Sequence, residues 1–262
     1  KITTLRVGHG TCHIIQHKNQ TTVIDAGSRQ NLDVGLTVIL PKLRELQVHS
    51  IRSLIITHSD LDHVAGIFDI LQYYPIGKIV IAPQALQHAT PPLKMVLKEA
   101  KARNVNIVQG YSGWKDQHGN CKGTIIFPNK EDEYSSPNAT SIVYLLRTHG
   151  RTILFTGDID EKRIKELQLV NIGAIDVLEL PHHGQWSEES QQFVNEKQPT
   201  IVIQSTNRAR HSNDQWEIPP QTTRFVTAID GDLTTVIDTN GDLTTTCSND
   251  PATMEPCYFP SP

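Results

Sequence analysis

The sequence lacks any run of about eighteen apolar residues, the length that a membrane-spanning helix needs. It holds only four cysteines in 262 residues, and no two of them form a Cys-x-x-Cys pair, so a cysteine-based zinc site is not expected. It also lacks an excess of basic charge, because 24 Lys and Arg stand against 28 Asp and Glu, for a formal net charge of -4. That balance argues against a surface coated in basic residues for nucleic acid, although a local basic groove is compatible with it.

Length and composition fit a soluble globular protein with an ample core, since the chain is 37% hydrophobic and 20% charged. The first five residues show no signal-peptide pattern. Cys247 and Cys257 flank a polar segment and would pair only in an oxidising compartment, with free thiols as the alternative. We favour a cytoplasmic location, and a periplasmic or secreted location would accompany the disulfide. The sequence does not specify an oligomeric state.

Two histidines and two aspartates follow directly on an apolar, β-branched run at 55–56, and they are His58, Asp60, Asp62 and His63. A glycine and an apolar helical segment come next, so the four side chains are expected in a loop between a strand and a helix. Without a cation, imidazole and carboxylate groups this close would repel or desolvate one another. Both are good ligands for zinc, manganese or iron, so the loop predicts two divalent metal ions. A polar loop without metal is the alternative.

Two later strand ends carry similar groups. The buried run at 153–156 is followed by a glycine and Asp158, whose carboxylate can reach into a site at the end of the strand. The alternative role of Asp158 is to cap the next helix. Asp160 is the better candidate for that cap. The strand predicted at 177–180 leads into His182 and His183. We expect one of these histidines to bind metal and the other to donate a proton or contact a phosphate. His182 is the preferred ligand.

A basic loop follows the strand predicted at 200–204. Its side chains Arg208, Arg210 and His211 suit a phosphodiester, because guanidinium groups match the paired oxygens of that group. An ordinary solvated basic loop is the alternative.

The alternation of strand and helix patterns along the chain predicts a layered α/β fold. The patterns predict a first strand at 5–7, an amphipathic helix at 37–47 that contains Pro41, and helices at 67–73 and 220–228. Ser187 is the predicted N-cap of a helix at 187–196, and strands at 234–238 and 242–247 are predicted to form a terminal hairpin around Asn240-Gly241. Residues 109–121 are polar and rich in turn formers, so they are predicted to form an inserted loop.

The motif Thr57-His58-x-Asp60-x-Asp62-His63 resembles the His-x-His-x-Asp-His signature of the metallo-β-lactamase superfamily, with Asp60 in place of the second His. This variant is similar to the metallo-hydrolase domain of ComEC-type competence proteins of the bacterial DNA-uptake channel, in a stand-alone form. Further matching elements, in chain order, are Val7-Gly8-His9-Gly10, Ile24-Asp25-Ala26-Gly27, Phe155-Thr156-Gly157-Asp158-Ile159, Leu180-Pro181-His182-His183-Gly184, and Asn207 with His211.

The resemblance implies a four-layer αββα sandwich, with one hydrolase domain at 1–247 and a Pro-rich polar tail at 248–262. It also implies that Asp158 bridges two metal ions, that Asp25 positions the metal loop, and that the substrate is a phosphodiester. DNA is the leading case, and a small nucleotide phosphodiester is the second.

Two departures from the family pattern affect the site. Thr11 stands where the family usually carries an Asp, and His9 is a candidate to replace that contact with substrate. The superfamily also has a ligand His between the first motif and Asp158, but 136–141 contains none and offers Asn138 instead. A site this rich in oxygen ligands moves the preference from zinc toward manganese or magnesium.

The leading hypothesis is therefore a metal-dependent phosphodiesterase or nuclease that uses two divalent ions, zinc or manganese, to activate a water. Its expected metal ligands are His58, Asp60, Asp62, His63, Asp158, His182 and Asn138. Its expected catalytic residues are Asp62, Asp158, His183 and His211. Its expected substrate contacts are Asn207, Arg208, Arg210, His211 and His9. The alternatives are a hydrolase of a small ester, thioester or lactone, and a non-catalytic binding module that kept the fold.

Overall fold

The computed structural model describes residues 1–249, apart from the side chain of His118. Most of the predicted tail at 248–262, together with Cys257, lies outside the described residues. The strands are β1 Ile2–Thr4, β2 His13–His17, β3 Gln20–Ile24, β4 Ile51–Ile56, β5 Ile76–Ile81, β6 Asn106–Gln109, β7 Lys115–His118, β8 Cys121–Phe127, β9 Val143–Thr148, β10 Arg151–Phe155, β11 Val177–Glu179, β12 Ile201–Gln204, β13 Thr223–Val226, β14 Leu233–Ile237 and β15 Leu243–Cys247. The α-helices are α1 Leu40–Glu45, α2 Leu61–Val64, α3 Ile67–Tyr73, α4 Pro83–Gln87, α5 Pro91–Ala102, α6 Glu161–Gln168, α7 Glu188–Lys197, α8 Arg208–His211 and α9 Thr227–Asp230.

The strands form two mixed sheets. The first sheet has eight strands in the order β15-β14-β1-β2-β3-β4-β5-β6, and the second has seven in the order β13-β12-β11-β10-β9-β8-β7. Strands β3 to β6 run parallel to one another, as do β10 to β13. The carboxyl ends of parallel neighbours meet at one edge of a sheet, which is where ligand-bearing loops collect in α/β proteins.

The alternation of side chains along β9 shows how the layers pack. Tyr144 and Leu146 belong to the core between the two sheets, whereas Val143 and Leu145 belong to a second core that includes residues of α6 and α7. This is the period-two alternation of a strand buried on both faces. The first sheet is covered in the same way, because buried residues of α1, α3 and α5 join its core. The predicted four-layer αββα sandwich is therefore confirmed.

Several local predictions hold. Ser187 caps α7 by accepting a hydrogen bond from the Ser190 backbone amide at 3.1 Å. The helix predicted at 67–73 is α3, and β14 and β15 form the predicted terminal hairpin. Within 1–249, no helix is both long and apolar enough to cross a membrane.

Three local predictions were wrong. The first strand is β1 at Ile2–Thr4 rather than 5–7. The helix at 220–228 is instead β13 followed by the short α9, because residues 223–226 pair in parallel with β12 at the edge of the second sheet. The polar segment 109–121 contains β7, which extends the same sheet by pairing with β8. The helix predicted at 37–47 is present, although it begins as a π-helical turn, Gly35–Ile39, and ends with α1 at Glu45. Pro41 falls in the first turn of α1, where its missing N–H is tolerated.

Candidate metal centre

Side chains from both sheets converge at one site. The loop between β4 and α2 supplies His58 and Asp60, and the first turn of α2 supplies Asp62 and His63. Asp158 follows β10, and the two adjacent histidines at 182–183 follow β11. The sequence predictions had placed all of these groups at strand ends, and the parallel arrangement of β10 and β11 explains why two of the loops meet.

Four buried residues, Asp62, His63, Asp158 and His183, form what we call the inner cluster. One ligand atom from each lies within 4.8 Å of the others. His63 Nε2 is 3.2 Å from Asp158 Oδ1 and 3.3 Å from His183 Nε2. His183 Nε2 is also 3.3 Å from Asp62 Oδ2 and 3.4 Å from Asp158 Oδ2. Two imidazole nitrogens and two carboxylates therefore face a common point.

The inner cluster fits a divalent metal ion on the chemistry of its donors. Buried polar atoms in native proteins nearly always have a hydrogen-bond partner. In the part of the chain that the structure describes, Asp62 Oδ1 and His58 Nε2 are buried and have none. A bound cation would satisfy such lone pairs and would offset the repulsion between the carboxylates.

A second pair of donors, His58 and Asp60, lies beside the inner cluster, and we call it the outer pair. His58 Nε2 is 3.9 Å from the Oδ2 atoms of both Asp60 and Asp158. The side chain of Asp158 is therefore adjacent to both groups. This position suits a carboxylate shared between two ions.

The structure places His183 rather than His182 in the inner cluster, whereas the sequence analysis preferred His182 as the ligand. His182 Nε2 is 3.9 Å from Asp158 Oδ2, and its side chain is 33% exposed. Both histidines have left-handed backbones, with φ of 52° and 56°. Such conformations cost non-glycine residues free energy and are found at functional sites. The turn is held by hydrogen bonds from the His182 amide to the Gly157 carbonyl at 3.0 Å and from Gln204 Nε2 to the His183 carbonyl at 3.2 Å.

Neighbouring groups fix the orientation of the ligand rings. The buried Asp25 contacts His63 Nδ1 through Oδ2 at 2.7 Å and accepts the Thr57 backbone N–H at 2.7 Å. His183 Nδ1 lies 3.1 Å from the Ser205 carbonyl oxygen. Partners of this kind on one ring nitrogen leave the other nitrogen free to bind metal. Asp25 thus has the contacts expected of a residue that positions the metal loop.

The electrostatics of the site favour the metal-binding forms of His58 and Asp158, but they favour a proton on His63. Burial lowers the pKa of His58 to about 3, so its ring is neutral near pH 7. Burial alone would raise the pKa of Asp158, but His183 and His63 hold it well below the usual range. Burial opposes a proton on His63 as well, yet Asp158 and Asp25 raise its pKa. A metal ion at the inner cluster therefore competes with a proton on His63.

Two side chains at the rim also contact Asp62. His9, a predicted substrate contact, lies with Nε2 3.3 Å from Asp62 Oδ2. Arg29 was not identified from the sequence; its Nε is 3.1 Å from the same oxygen, and its Nη2 is 3.5 Å from Asp60 Oδ2. Its only sequence signal is its position just after the Asp-Ala-Gly element. The Arg29 side chain is about half exposed, so a ligand can reach it.

The late basic loop meets the site mainly through Arg210, whose Nη1 donates to the His182 carbonyl at 2.8 Å. Asn207 caps α8 by accepting the Arg210 backbone N–H at 2.8 Å. Arg208 Nε lies 3.5 Å from the Ala228 carbonyl, and His211 Nδ1 lies 3.8 Å from an Asp214 carboxylate oxygen.

Two further predicted positions lie close to the histidine turn. Thr11 Oγ1 is 3.4 Å from His183 Nδ1, so this departure from the family pattern still contacts a ligand ring. Asn138 opens a short 3-10 turn and lines a cavity of about 240 Å³ together with His182.

Comparison with known proteins agrees with this geometry. The profile of the Metallo-beta-lactamase superfamily matches residues 5–205. The chain belongs to that superfamily. It is 27% identical over 190 residues to "ComE operon protein 3" of Bacillus subtilis, with 72% of this chain and 24% of that protein covered. It is also 27% identical over 180 residues to "Endoribonuclease ysh1" of Schizosaccharomyces pombe, covering 62% of this chain and 22% of that protein. The chain therefore spans about a quarter of the length of these relatives.

Among solved structures, the metallo-β-lactamase-fold protein YhfI of Bacillus subtilis superposes with a TM-score of 0.53 at 11% identity, covering 79% of this chain and 87% of that one. This likeness shows the shared fold. The buried His/Asp cluster thus lies in a chain of the metallo-β-lactamase superfamily, and its donors are those expected of a divalent metal centre.

The sequence did not reveal a buried pair of side chains beneath the centre. His13 on β2 and Glu179 on β11 join the two sheets, with His13 Nε2 2.7 Å from Glu179 Oε1. The other carboxylate oxygen, Oε2, accepts the backbone N–H groups of Thr156 and Gly157 at 3.1 and 3.4 Å. Burial would raise the pKa of Glu179, but its contact with His13 lowers it. Glu179 thus holds the turn from which Asp158 projects.

Replacing Glu179 with Gln should weaken metal binding by roughly 10–100-fold, as is typical when a group that supports a ligand is removed. The reason is that the turn before Asp158 loses a charged acceptor. Titration of the metal-free protein with Mn²⁺ would measure the change. Thr4→Val is the matched control, because Thr4 Oγ1 contacts His13 Nδ1 at 2.8 Å on the side away from that turn. This control should lower the free energy of unfolding and keep the metal affinity. Equal loss of affinity in both variants would contradict the positioning role.

Proposed function

We propose that the protein hydrolyses phosphodiester bonds with two divalent metal ions. The observation that carries this proposal is the cationic rim of the centre, formed by Arg29 beside Asp62 and by Arg210 beside His182. Guanidinium groups match the paired oxygens of a phosphodiester. A neutral lactone or lactam would have no anionic group for these arginines to bind.

The inner cluster would hold one ion, and the outer pair would hold the second, with the Asp158 carboxylate shared between them. Divalent ions at such a centre lower the pKa of a bound water and neutralise charge on a phosphoryl group. The outer pair adds only one nitrogen, and oxygen-rich sites favour manganese or magnesium over zinc. We therefore expect manganese to support the highest activity.

The side chains divide the remaining tasks. Arg29 and Arg210 bind the non-reacting phosphoryl oxygens and orient the diester. His182 is the better candidate for proton transfer to the leaving oxygen, because its ring is partly exposed, whereas both nitrogens of His183 are already engaged. Burial lowers the pKa of His182, so its ring is mainly neutral near pH 7. It would take up the proton that the attacking water releases and pass a proton to the leaving oxygen.

The name of one relative supports the same substrate class. The name of the Schizosaccharomyces pombe relative describes an endoribonuclease, an enzyme that cleaves phosphodiester bonds of RNA. We extend the class to this chain, with DNA, RNA and small nucleotide diesters as candidate substrates.

The test is turnover of bis(p-nitrophenyl) phosphate by protein stripped of metal and reloaded with Mn²⁺, Zn²⁺ or Mg²⁺, with p-nitrophenyl acetate run in parallel. We expect metal-dependent diester turnover.

Arg29→Gln should raise KM for the diester about tenfold or more, since a hydrogen bond to a charged group contributes about 1.5–3 kcal/mol. Arg103→Gln is the matched control, because Arg103, the residue directly after α5, pairs with Glu99 of that helix.

Other results would point to the alternative functions. Turnover of the acetate alone, unchanged by Arg29→Gln, would indicate a hydrolase of small esters, thioesters or lactones. A protein that neither turns over a substrate nor binds metal would be a non-catalytic binding module, and the proposal would fail.

A further inference from the structure

A cavity of about 330 Å³ adjoins the histidine turn at 182–184. It is lined by the loop 184–186 and by Arg210 together with residues 213–215. Because Gly184 follows His183 of the inner cluster, one wall of the cavity is continuous with the histidine turn. Its volume falls at the lower end of the range for small-molecule sites.

One wall of this cavity carries an exposed tryptophan. Trp186 is 40% exposed, although large aromatic side chains are usually well buried. The nearby Trp216 differs, because it is buried and its Nε1 donates to the Gly184 carbonyl at 2.8 Å. Trp216 therefore supports the loop from below, while the accessible surface of Trp186 is available to a planar ring. Aromatic side chains placed this way stack on nucleobases.

Arg210 connects the cavity to the metal centre. It lines the cavity and also donates from Nη1 to the His182 carbonyl. A phosphate bound near the centre and a group in the cavity would thus share one guanidinium. The cavity is also lined by Gln185, Asn213 and Gln215, whose amide side chains can both donate and accept hydrogen bonds, and by Asp214, whose carboxylate pairs with Arg224. Base edges require such mixed donors and acceptors.

We infer that this cavity is a subsite for a nucleobase of the substrate, with the base stacked on Trp186 and the adjoining phosphate held by Arg210. The inference rests on the proposed phosphodiesterase function and adds a preference for nucleotide diesters over diesters without a base.

The first test measures binding without turnover. Metal-loaded protein is titrated with adenosine 5′-monophosphate and, separately, with ribose 5-phosphate, and tryptophan fluorescence and calorimetry report the Kd. We expect the nucleotide to quench fluorescence and to bind about tenfold more tightly than the sugar phosphate, as base stacking allows. Trp186→Ala should remove this difference, and Trp186→Phe should restore most of it. If Phe restores the preference for the nucleotide, the loss in Trp186→Ala is due to lost stacking and not to misfolding.

The second test uses hydrolysis. Trp186→Ala should raise KM about tenfold for thymidine 5′-(p-nitrophenyl phosphate) and leave KM for methyl p-nitrophenyl phosphate unchanged. The inference is overturned if the nucleotide binds no more tightly than ribose 5-phosphate, or if Trp186→Ala binds both as the wild type does. Hydrolysis of the methyl diester without any preference for a base would leave the phosphodiesterase standing and remove the subsite. If nucleotide binding depends on Trp186 but no diester is hydrolysed, the base subsite would stand and the phosphodiesterase function would fail.

Discussion

Replacing Asp158 with Asn should reduce diester hydrolysis by at least about a thousandfold, because metal ions contribute several kcal/mol to stabilising the charge of a phosphoryl transition state. Asp158 lies 3.2 Å from His63 Nε2 and 3.4 Å from His183 Nε2 in the inner cluster, and 3.9 Å from His58 Nε2 of the outer pair. An amide retains one carbonyl oxygen but loses the negative charge. Binding at both positions should therefore weaken. Metal analysis after dialysis and steady-state kinetics with bis(p-nitrophenyl) phosphate would measure both effects.

Asp160→Asn is the matched control for this variant. It makes the same chemical change two residues further on, where Asp160 Oδ1 accepts the Arg163 backbone N–H at 2.9 Å and caps α6. Asn is as good a cap as Asp, so stability and activity should stay close to the wild type. Full activity in Asp158→Asn, or an equal loss of activity in both variants, would contradict the proposed bridging role of Asp158.

The second large effect should separate the two adjacent histidines. His183→Gln should lower the metal content from near two ions per chain to about one and reduce kcat by a hundredfold or more, since the inner ion loses one of two nitrogen ligands. His182→Gln should retain both ions and lower kcat by roughly a hundredfold, which is typical when a proton-transfer group is removed. Metal analysis distinguishes these outcomes even if the kinetic effects are similar.

The comparison is well matched, because both residues share a left-handed backbone in one turn. Any general disturbance of the turn should affect the two variants alike. Greater metal loss in His182→Gln than in His183→Gln would show that His182 is the metal ligand, as the sequence pattern had suggested.

The choice between these histidines shows what local sequence cannot specify. Both follow the same strand, and both are chemically equal as ligands. The direction of each ring depends on the turn, which is held by the Gly157 carbonyl, the Gln204 amide group and Arg210 from other loops. Those partners are remote in sequence, so no local pattern reveals them. The same reason explains why Arg29 and the pair of His13 with Glu179 were missed.

The wrong helix at 220–228 has a related cause. The local sequence of this segment has only a weak preference for helix. Residues 223–226 form a strand because they pair in parallel with β12, with Ile201 opposite Thr223. Strand propensity is strongly affected by such tertiary neighbours. By contrast, α3 and the hairpin of β14 and β15 depend on local periodicity and on a turn at Asn240-Gly241, and both were predicted.

The sequence by itself determined the fold class, the superfamily and the chemistry of the donors, because these depend on residue type, order and spacing along strand ends. The tertiary structure alone decided which atoms face one another: it placed His183 in the inner cluster, turned Arg29 toward Asp62, and set Trp186 in a cavity beside the centre. The physical reason is that a metal centre is defined by distances of a few ångströms between loops far apart in the chain, and those distances follow only from how the two sheets pack.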